Sequence, residues 1–537
     1  MWLDARTGNL MGVPAAPVTR DLSTAASMSG LLSSIPGSEP VGLLVGRSAL
    51  LPHVLLALLS CGRAYVPLTP DLPDVRLIRA MRVAGVRRVV TDRGHAERAA
   101  RLVPVESVFA VPEQVGVDGR LDLHERPEET AYVIFTSGST GEPKGVEISR
   151  GALASYLDAM DSLIGTEAQQ RWAAVTSLGF DISVTELVWA QSRGHDVTVL
   201  DGPLALIGCD DVDVTHLQIT PTLLRLLLQD DRSRRMLGRL DVLLVGGEPF
   251  PADVVPELLL CTSARVVNMY GPTEATVWVS SEEVRRAAGA LPIGSPFAHA
   301  AYYVLNEQLN PCQPDEQGRL FIGGASLARG YAGDPSLTAR RFMPDPFSRS
   351  PGSRMYDTGD LATQDAAGSI RLRGRCDDQV KLSGHRVEPG DVEAALSALE
   401  GVTAAVVVVD ASDDEACLHG YYTGSPDPEH IRLRLVEIVP EYMVPRIVTQ
   451  LAALPRTVAG KVDRARLATG SRRTAPARTR DARPHLPVRS GPHRSVWPAD
   501  LALPTGWQET GPVGTVEECL LQVETLVGDG HRGSARA

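Results

Sequence analysis

Tyr132-Val133-Ile134-Phe135-Thr136-Ser137-Gly138-Ser139-Thr140-Gly141-Glu142-Pro143-Lys144-Gly145 is the stretch on which the reading of this chain turns. Tyr132 to Phe135 are apolar or aromatic and read as a buried strand that runs into a turn of Ser, Thr and Gly. Such a turn can aim several backbone N–H groups and hydroxyls at one anion, because glycine accepts φ > 0 and lets a phosphate approach the main chain. Lys144 adds a mobile positive charge. A Walker A loop needs Ser or Thr directly after its lysine to hold Mg²⁺, and here Gly145 follows. The stretch reads as a phosphate loop of another kind, the bland reading being a Gly/Ser-rich linker.

The segments around it alternate between strand and helix. Val41–Val45, an apolar stretch to Cys61 and Ala64–Leu68 read as strand, helix and strand, and Leu77–Val83 with Arg88–Thr91 as a second cycle. The alternation continues through Trp172–Thr176, Asp196–Leu200, Leu240–Val245 and Arg265–Met269. It predicts an α/β fold with several sheets and helices packed on them, up to about residue 375. A smaller α+β unit is expected to follow, with helices over Asp391–Leu399 and His430–Ile438 and a strand over Ala404–Asp410. From Ser471 arginines and prolines interleave, which predicts a largely disordered linker before a short terminal helix near Thr515. The expected division is therefore 1–376, 377–470 and 471–537.

At 537 residues the chain exceeds one core, since domains average roughly 150 residues. A hydrophobic content of 43% suits a soluble globular protein, and a net charge of −12 argues against nucleic acid as the main partner. The seven cysteines are scattered without C-x-x-C pairs, which reads as reduced thiols in a cytoplasmic protein. The N-terminus lacks a secretory pattern, and the most apolar stretch, Leu50–Ser60, is too short to span a bilayer.

Further blocks follow the phosphate loop in a fixed order: Gly179-Phe180-Asp181-Ile182-Ser183-Val184-Thr185-Glu186, Tyr270-Gly271-Pro272-Thr273-Glu274, Tyr356-Asp357-Thr358-Gly359-Asp360, and Gly374-Arg375-Cys376-Asp377-Asp378. Gln379 to Glu388 is rich in donors, and Leu454-Pro455-Arg456-Thr457-Val458-Ala459-Gly460-Lys461 closes the set. Together with Leu58–Leu68, over roughly residues 40–467, they resemble the adenylate-forming superfamily, and within it the freestanding adenylation domains of nonribosomal peptide synthetases.

The resemblance implies a large multi-sheet N-terminal domain and a small mobile C-terminal domain that begins at the hinge residue Asp377. It implies ATP and Mg²⁺. Thr136, Ser137, Gly138, Ser139, Thr140, Gly141 and Lys144 would hold phosphates, Tyr270 would pack near adenine, and Asp360 and Arg375 would hold the ribose. Thr273 would contact the α-phosphate, Glu274 would be the metal ligand, and Lys461 would bridge substrate carboxylate and nucleotide as the catalytic lysine. Asp181 would pair with a substrate ammonium group, although its position also permits a helix N-cap. Ile182, Thr185, Gln218, Leu244, Gly246, Met269, Val277 and Trp278 would line the substrate pocket. Met269 and Trp278 occupy volume, Gly246 returns some, and Gln218 offers a donor and an acceptor. With no charge in that set, a small or medium neutral amino acid is expected, α or β, with a polar side chain allowed.

The implied reaction is ATP-dependent formation of an aminoacyl adenylate with release of pyrophosphate. Transfer to the phosphopantetheine thiol of a separate carrier protein would follow, in natural-product (antibiotic) biosynthesis. A small MbtH-like activator is a further partner that the resemblance allows; nucleic acid and membrane are not expected. Acyl- or aryl-CoA synthetase and a catalytically silent carrier-binding paralogue are the rival readings. Three features depart from the family pattern. The segment before residue 40 lacks the first family motif, Asp357 replaces the usual residue, and Arg150 stands where a histidine near the reacting centre is common.

Overall fold

In the computed structural model, the strand begun by Tyr132 spans Thr130–Thr136 and pairs antiparallel with Lys144–Ser149, with Thr136 opposite Lys144. The phosphate-loop sequence thus links two paired strands. The structure describes residues 26–111, 121, 123–137, 143–286, 290–382, 385–410, 417–457 and 461–468. Gly138, Ser139, Thr140, Gly141 and the whole segment 471–537 lie outside the described residues.

That strand pair belongs to a seven-stranded sheet in the order Gly330–Tyr331, Lys144–Ser149, Thr130–Thr136, Tyr65–Pro67, Val41–Leu44, Val89–Thr91, Val108–Ala110. From Thr130–Thr136 onward its neighbours are parallel, as helical crossovers through Leu50–Ser60 and Asp74–Ala84 require. Leu50–Ser60 buries eight of its eleven residues, so it is covered on nearly every side.

A second seven-stranded sheet has Val242–Gly246 at its centre, parallel to His216–Ile219 on one side and Arg265–Tyr270 on the other. Val242–Gly246 is apolar and buried along its whole length because both of its faces are covered, and its two neighbours are buried except at Arg265. One large apolar core joins the two sheets, running from Met28 to Ile370.

The alternation expected from sequence stops short of residue 375. Ala300–Leu305, Gln317–Gly324, Arg354–Gln364, Phe342–Pro344 and Ile370–Arg375 form a third sheet whose pairings are all antiparallel. Short connections, such as the turn at Gly368, replace crossover helices there.

Beyond Arg375 come a two-stranded hairpin, Val380–Leu382 with His385–Val387, and a three-stranded sheet of Val402–Asp410, Cys417–Gly424 and Ile447–Gln450. Helices Pro389–Ser397 and Pro428–Val436 pack on that sheet through Val392, Leu396, Ile431 and Leu435. Among the described residues, no apolar cluster mixes side chains before residue 375 with side chains after 380. No helix of the described residues is long and apolar enough to cross a membrane.

Candidate active site

The strands Val242–Gly246 and Arg265–Tyr270 end side by side, and their following turns open onto a cleft, the usual ligand position in α/β sheets. Phe180, Asp181 and Ile182 line one side of it, and Tyr270, Thr273 and Trp278 the floor. Asp360, Arg375, Lys381 and Arg386 close the side opposite.

Asp181 is 5% exposed, and its Oδ2 is buried without a hydrogen-bond partner. Burial pushes its pKa up to about 6, although the Thr273 side chain hydrogen-bonds to the carboxylate and opposes the rise. The N–H groups of Ser183 and Val184 donate to the main-chain carbonyls of Phe180 and Asp181, so the Asp181 carboxylate is not spent as an N-cap. A buried carboxylate with a free oxygen facing a cleft is costly unless a cation arrives. An ammonium group fits that position.

Behind Asp181 the wall is held by one chain of hydrogen bonds. The Trp278 indole N–H donates to Gln218 Oε1 at 2.9 Å, and Gln218 Nε2 donates to the Ile182 carbonyl at 2.9 Å and to Glu186 at 3.2 Å. Both ends of the Gln218 amide are therefore engaged by the protein, which corrects the expectation that it offers hydrogen bonds to a ligand. A Cβ on Gly246 would lie 2.8 Å from Trp278 Cη2 and 2.6 Å from the Met269 carbonyl oxygen, so the indole fills the room that the glycine leaves. Val277, with φ of 65°, aims the next residue, Trp278, from a backbone region that β-branched side chains rarely adopt. Thr185, Leu244 and Met269 are buried behind this layer, and the Thr185 hydroxyl is spent on Tyr156 at 2.6 Å. They support the pocket without lining it.

At the other end of the cleft, Asp360 Oδ2 accepts from the Tyr270 hydroxyl and Oδ1 from Arg375, each at 2.5 Å. Arg375 also grips Asp377, Nε to Oδ1 at 2.7 Å and Nη2 to Oδ2 at 2.9 Å. Arg341 reaches both Asp357 (3.5 Å) and Asp377 (3.8 Å). Asp357, the residue that departs from the family pattern, thus has Arg319 and Arg341 as counter-charges, which explains how an acid is accommodated at 4% exposure.

Glu274 is fully buried. Tyr331 donates to its Oε1 at 2.8 Å, and Arg386 Nη1 lies 2.9 Å from both carboxylate oxygens. Burial pushes its pKa up, but the Arg386 guanidinium together with the hydrogen bonds from Tyr331, Tyr356 and its own backbone outweighs burial and holds it below the usual carboxylate range. Among the described residues no group of three or more His, Cys, Asp or Glu could hold a metal. A cation bound here would take Glu274 as its carboxylate together with substrate oxygens, a donor set that suits Mg²⁺. It fits once Arg386 has moved.

Arg386 belongs to the hairpin Val380–Val387, which sits in the cleft. Its backbone carbonyl accepts from Ser137 Oγ at 2.8 Å, and Lys144 Nζ lies 3.6 Å from Glu388. His385 packs between Phe180 (5.4 Å) and Tyr442 (3.8 Å, stacked). Thr136 Oγ1 is buried without a partner among the described residues. Lys461, by contrast, is exposed and not among the cleft-lining residues. Arg150 is 4% exposed, donating to the carbonyls of Leu59 (2.8 Å) and Glu125 (3.1 Å), so it neither reaches the reacting centre nor meets solvent.

Sequence reasoning missed the cleft roles of Phe180, Gln379, Lys381 and Arg386. The available signal is the pair of cations, Lys381 and Arg386, flanking Ser383-Gly384 within a segment that otherwise reads as a loop rich in donors.

Residues 23–332 match the family described as AMP-binding enzyme. The chain is 36% identical over 440 residues to the probable non-canonical nonribosomal peptide synthetase CymA of Salinispora arenicola, covering 79% of this chain and 6% of that protein. It spans less than a fifth of the length of the curated relatives it matches. Among solved structures, the amide bond synthetase McbA of Marinactinospora thermotolerans aligns with a TM-score of 0.71 and 26% identity, over 82% of this chain and 92% of that one. A four-domain nonribosomal peptide synthetase, holo-AB3403 bound to AMP and glycine, aligns with a TM-score of 0.57 and 32% identity, over 82% of this chain and 33% of that one.

Proposed function

Because the chain belongs to the AMP-binding enzyme family and is an AMP-forming ligase, we propose that it activates a glycine-sized amino acid as its adenylate. The observation that carries this reading is Asp181, a buried carboxylate with one unpartnered oxygen, set beside a wall that Trp278 closes over Gly246. An ammonium group answers the first feature. A side chain longer than a methyl meets the second, with no free polar group at Gln218 to reward it. The glycine bound to the AB3403 synthetase is consistent with that size.

In the proposed reaction a substrate carboxylate oxygen attacks the α-phosphorus of ATP. A carbon–oxygen–phosphorus anhydride link forms as the bond to the bridging oxygen breaks, and pyrophosphate leaves. No general base is required, because the carboxylate is already ionised. Asp181 fixes the ammonium end, Asp360 and Arg375 the ribose, and Tyr270 the base, so that both reactants are held in line. Thr273 and the Thr136–Lys144 segment bring donors to the phosphates, and Lys461 enters with the small domain to bridge carboxylate and nucleotide. Mg²⁺ held at Glu274 would offset phosphate charge.

The domain division at Asp377 belongs to the same reading. With Lys461 outside the cleft and Arg386 inside it, the present arrangement suits the step after adenylate formation, in which a phosphopantetheine thiol of a carrier protein accepts the acyl group. Relatives named as peptide synthetases support a carrier protein as acceptor, and we take it to be a separate chain, with an MbtH-like activator and a cytoplasmic setting belonging to the same reading. Transfer to a free amine is a second reading, favoured by the likeness to an amide bond synthetase.

Pyrophosphate exchange over a panel of amino, aryl and fatty acids tests the proposal. Exchange with glycine well above alanine, and none with aryl or fatty acids, is expected. Exchange confined to acids without an amino group would overturn it. Incubating the adenylate with holo-carrier protein or with free amines then separates the two acceptors.

A further inference from the structure

The loop that joins the strand Arg265–Tyr270 to the strand Ser280–Glu283 carries both ends of the pocket wall. Thr273, whose side chain hydrogen-bonds to Asp181, lies near its start, and Trp278, which covers Gly246, near its end. Between them Thr276 has φ of 60° and ψ of 81°, and Val277 has φ of 65°. Among the described residues the other non-glycine residues with positive φ are Arg126, Leu309 and Asp315, and all of them are exposed. Thr276 and Val277 are 0% and 1% exposed, and both are β-branched, the shape least suited to that region. Two such residues in succession persist only where the surrounding structure imposes them.

The surroundings that impose them are a segment on one side and a glycine on the other. Thr276 Oγ1 donates to the Ser326 carbonyl at 2.6 Å, and two residues further on Ala328 N donates to the Glu274 carbonyl at 2.9 Å. Ser326 and Ala328 are themselves buried, so the loop is tied to a fixed support. Opposite, the chain doubles back over Gly271, where a Cβ would lie 2.7 Å from Trp278 Cα. Valine has no polar group, which leaves the Thr276 hydroxyl as the side-chain hydrogen bond that holds the strained pair.

We propose that Thr276 is a specificity-determining positioning residue: its hydroxyl keeps the Thr276–Val277 backbone in the left-handed region and so sets Trp278 over Gly246. This rests on reading the cleft as the pocket of a glycine-sized amino acid. Thr276 is not among the residues that line the cleft and acts only through Trp278. The bond from the indole N–H to Gln218 fixes one atom of the ring, whereas the backbone fixes where the ring starts. Without the hydroxyl the pair relaxes towards negative φ, the indole moves off Gly246, and the methyl group of alanine is admitted.

The test is pyrophosphate exchange by the full chain with glycine and with alanine, with KM for ATP measured alongside. Thr276→Val keeps the shape of threonine and loses only the hydroxyl. Its preference for glycine over alanine in kcat/KM should fall about tenfold, the scale of one methylene in a fitted pocket, with KM for ATP unchanged. Thr276→Ala should behave alike, because its Cβ still disfavours positive φ. Thr276→Ser keeps the hydroxyl and should keep the native preference. Thr276→Gly also lacks the hydroxyl, yet glycine adopts positive φ without steric cost, so it should retain more of the preference than Thr276→Ala. A native preference in Thr276→Ala, or equal losses in the alanine and glycine variants, overturns the inference and leaves the pocket reading standing. A native chain that does not prefer glycine to alanine overturns both. Where circular dichroism shows Thr276→Val unfolded, the alanine and glycine variants decide the matter.

Discussion

The indole N–H of Trp278 donates to Gln218 Oε1 at 2.9 Å while the ring's far edge covers Gly246, so one side chain both blocks the pocket and engages the Gln218 amide. Trp278→Ala is expected to open the pocket in volume and polarity together. In pyrophosphate exchange, kcat/KM for glycine should fall about tenfold, and serine and other small polar amino acids should become substrates, one lost buried contact being worth roughly 1–3 kcal/mol. Unchanged selectivity would remove Trp278 as the gate.

Gln218→Leu separates the same pair differently. The indole N–H would then be buried without an acceptor, at a cost of about 1–3 kcal/mol. A lower Tm by calorimetry is expected, with glycine still the preferred substrate because the indole still stands over Gly246. A Tm equal to that of the native chain would show that the bond contributes nothing.

Asp181 titrates from a raised position, about 6 against an ordinary 3.8. For a carboxyl whose pKa is raised by folding, the cost of ionisation is absent below the ordinary value and complete above the raised one. Asp181→Asn should therefore stabilise the free enzyme at pH 8, by on the order of 1–3 kcal/mol at 1.36 kcal/mol per pH unit, and much less at pH 4. The same ionisation must occur for the carboxylate to pair with an ammonium. The KM of the native enzyme for its amino acid should rise as pH falls through about 6, and Asp181→Asn should lose exchange activity by at least 10²-fold. A pH-independent KM between 5 and 8 would refute the pairing.

Lys461 is exposed in the present arrangement. Lys461→Ala should leave Tm unchanged while slowing adenylation by roughly 10²–10³, the scale for one preorganised charge-stabilising donor. Thioester formation from chemically made adenylate should persist, and equal loss of both half-reactions would argue against a lysine that visits the cleft for one step only.

Asp377→Pro fixes φ at the expected hinge. Transfer to carrier protein should fall well below adenylation when the two half-reactions are assayed separately. Parallel loss would place the hinge elsewhere.

Local order was what the sequence made legible. Val41–Leu44, Leu50–Ser60 and Tyr65–Pro67 follow from runs of apolar residues broken by turn formers, and Asp181 stood out because a charge beside Phe180 and Ile182 needs a reason. What escaped is non-local. Arg386 and Glu274 are 112 positions apart, and Gln218 and Trp278 are 60 apart; no periodicity marks such pairs. The third sheet reads in sequence as more of the α/β alternation because its strands differ from parallel ones mainly in their partners. The motif places Arg150 where a histidine near the reacting centre is common, whereas the carbonyls of Leu59 and Glu125 decide where a guanidinium goes.

Arg341 touches Asp357 on the third sheet and Asp377 at the expected hinge, across 3.5 and 3.8 Å, with about a quarter of each hinge-side partner open to water. Both separations lie well inside the screening distance of about 8 Å at physiological ionic strength, and both partners are partly covered, so dissolved ions leave the tether largely intact. The backbone at Asp377 is therefore braced against the third sheet at any physiological salt concentration.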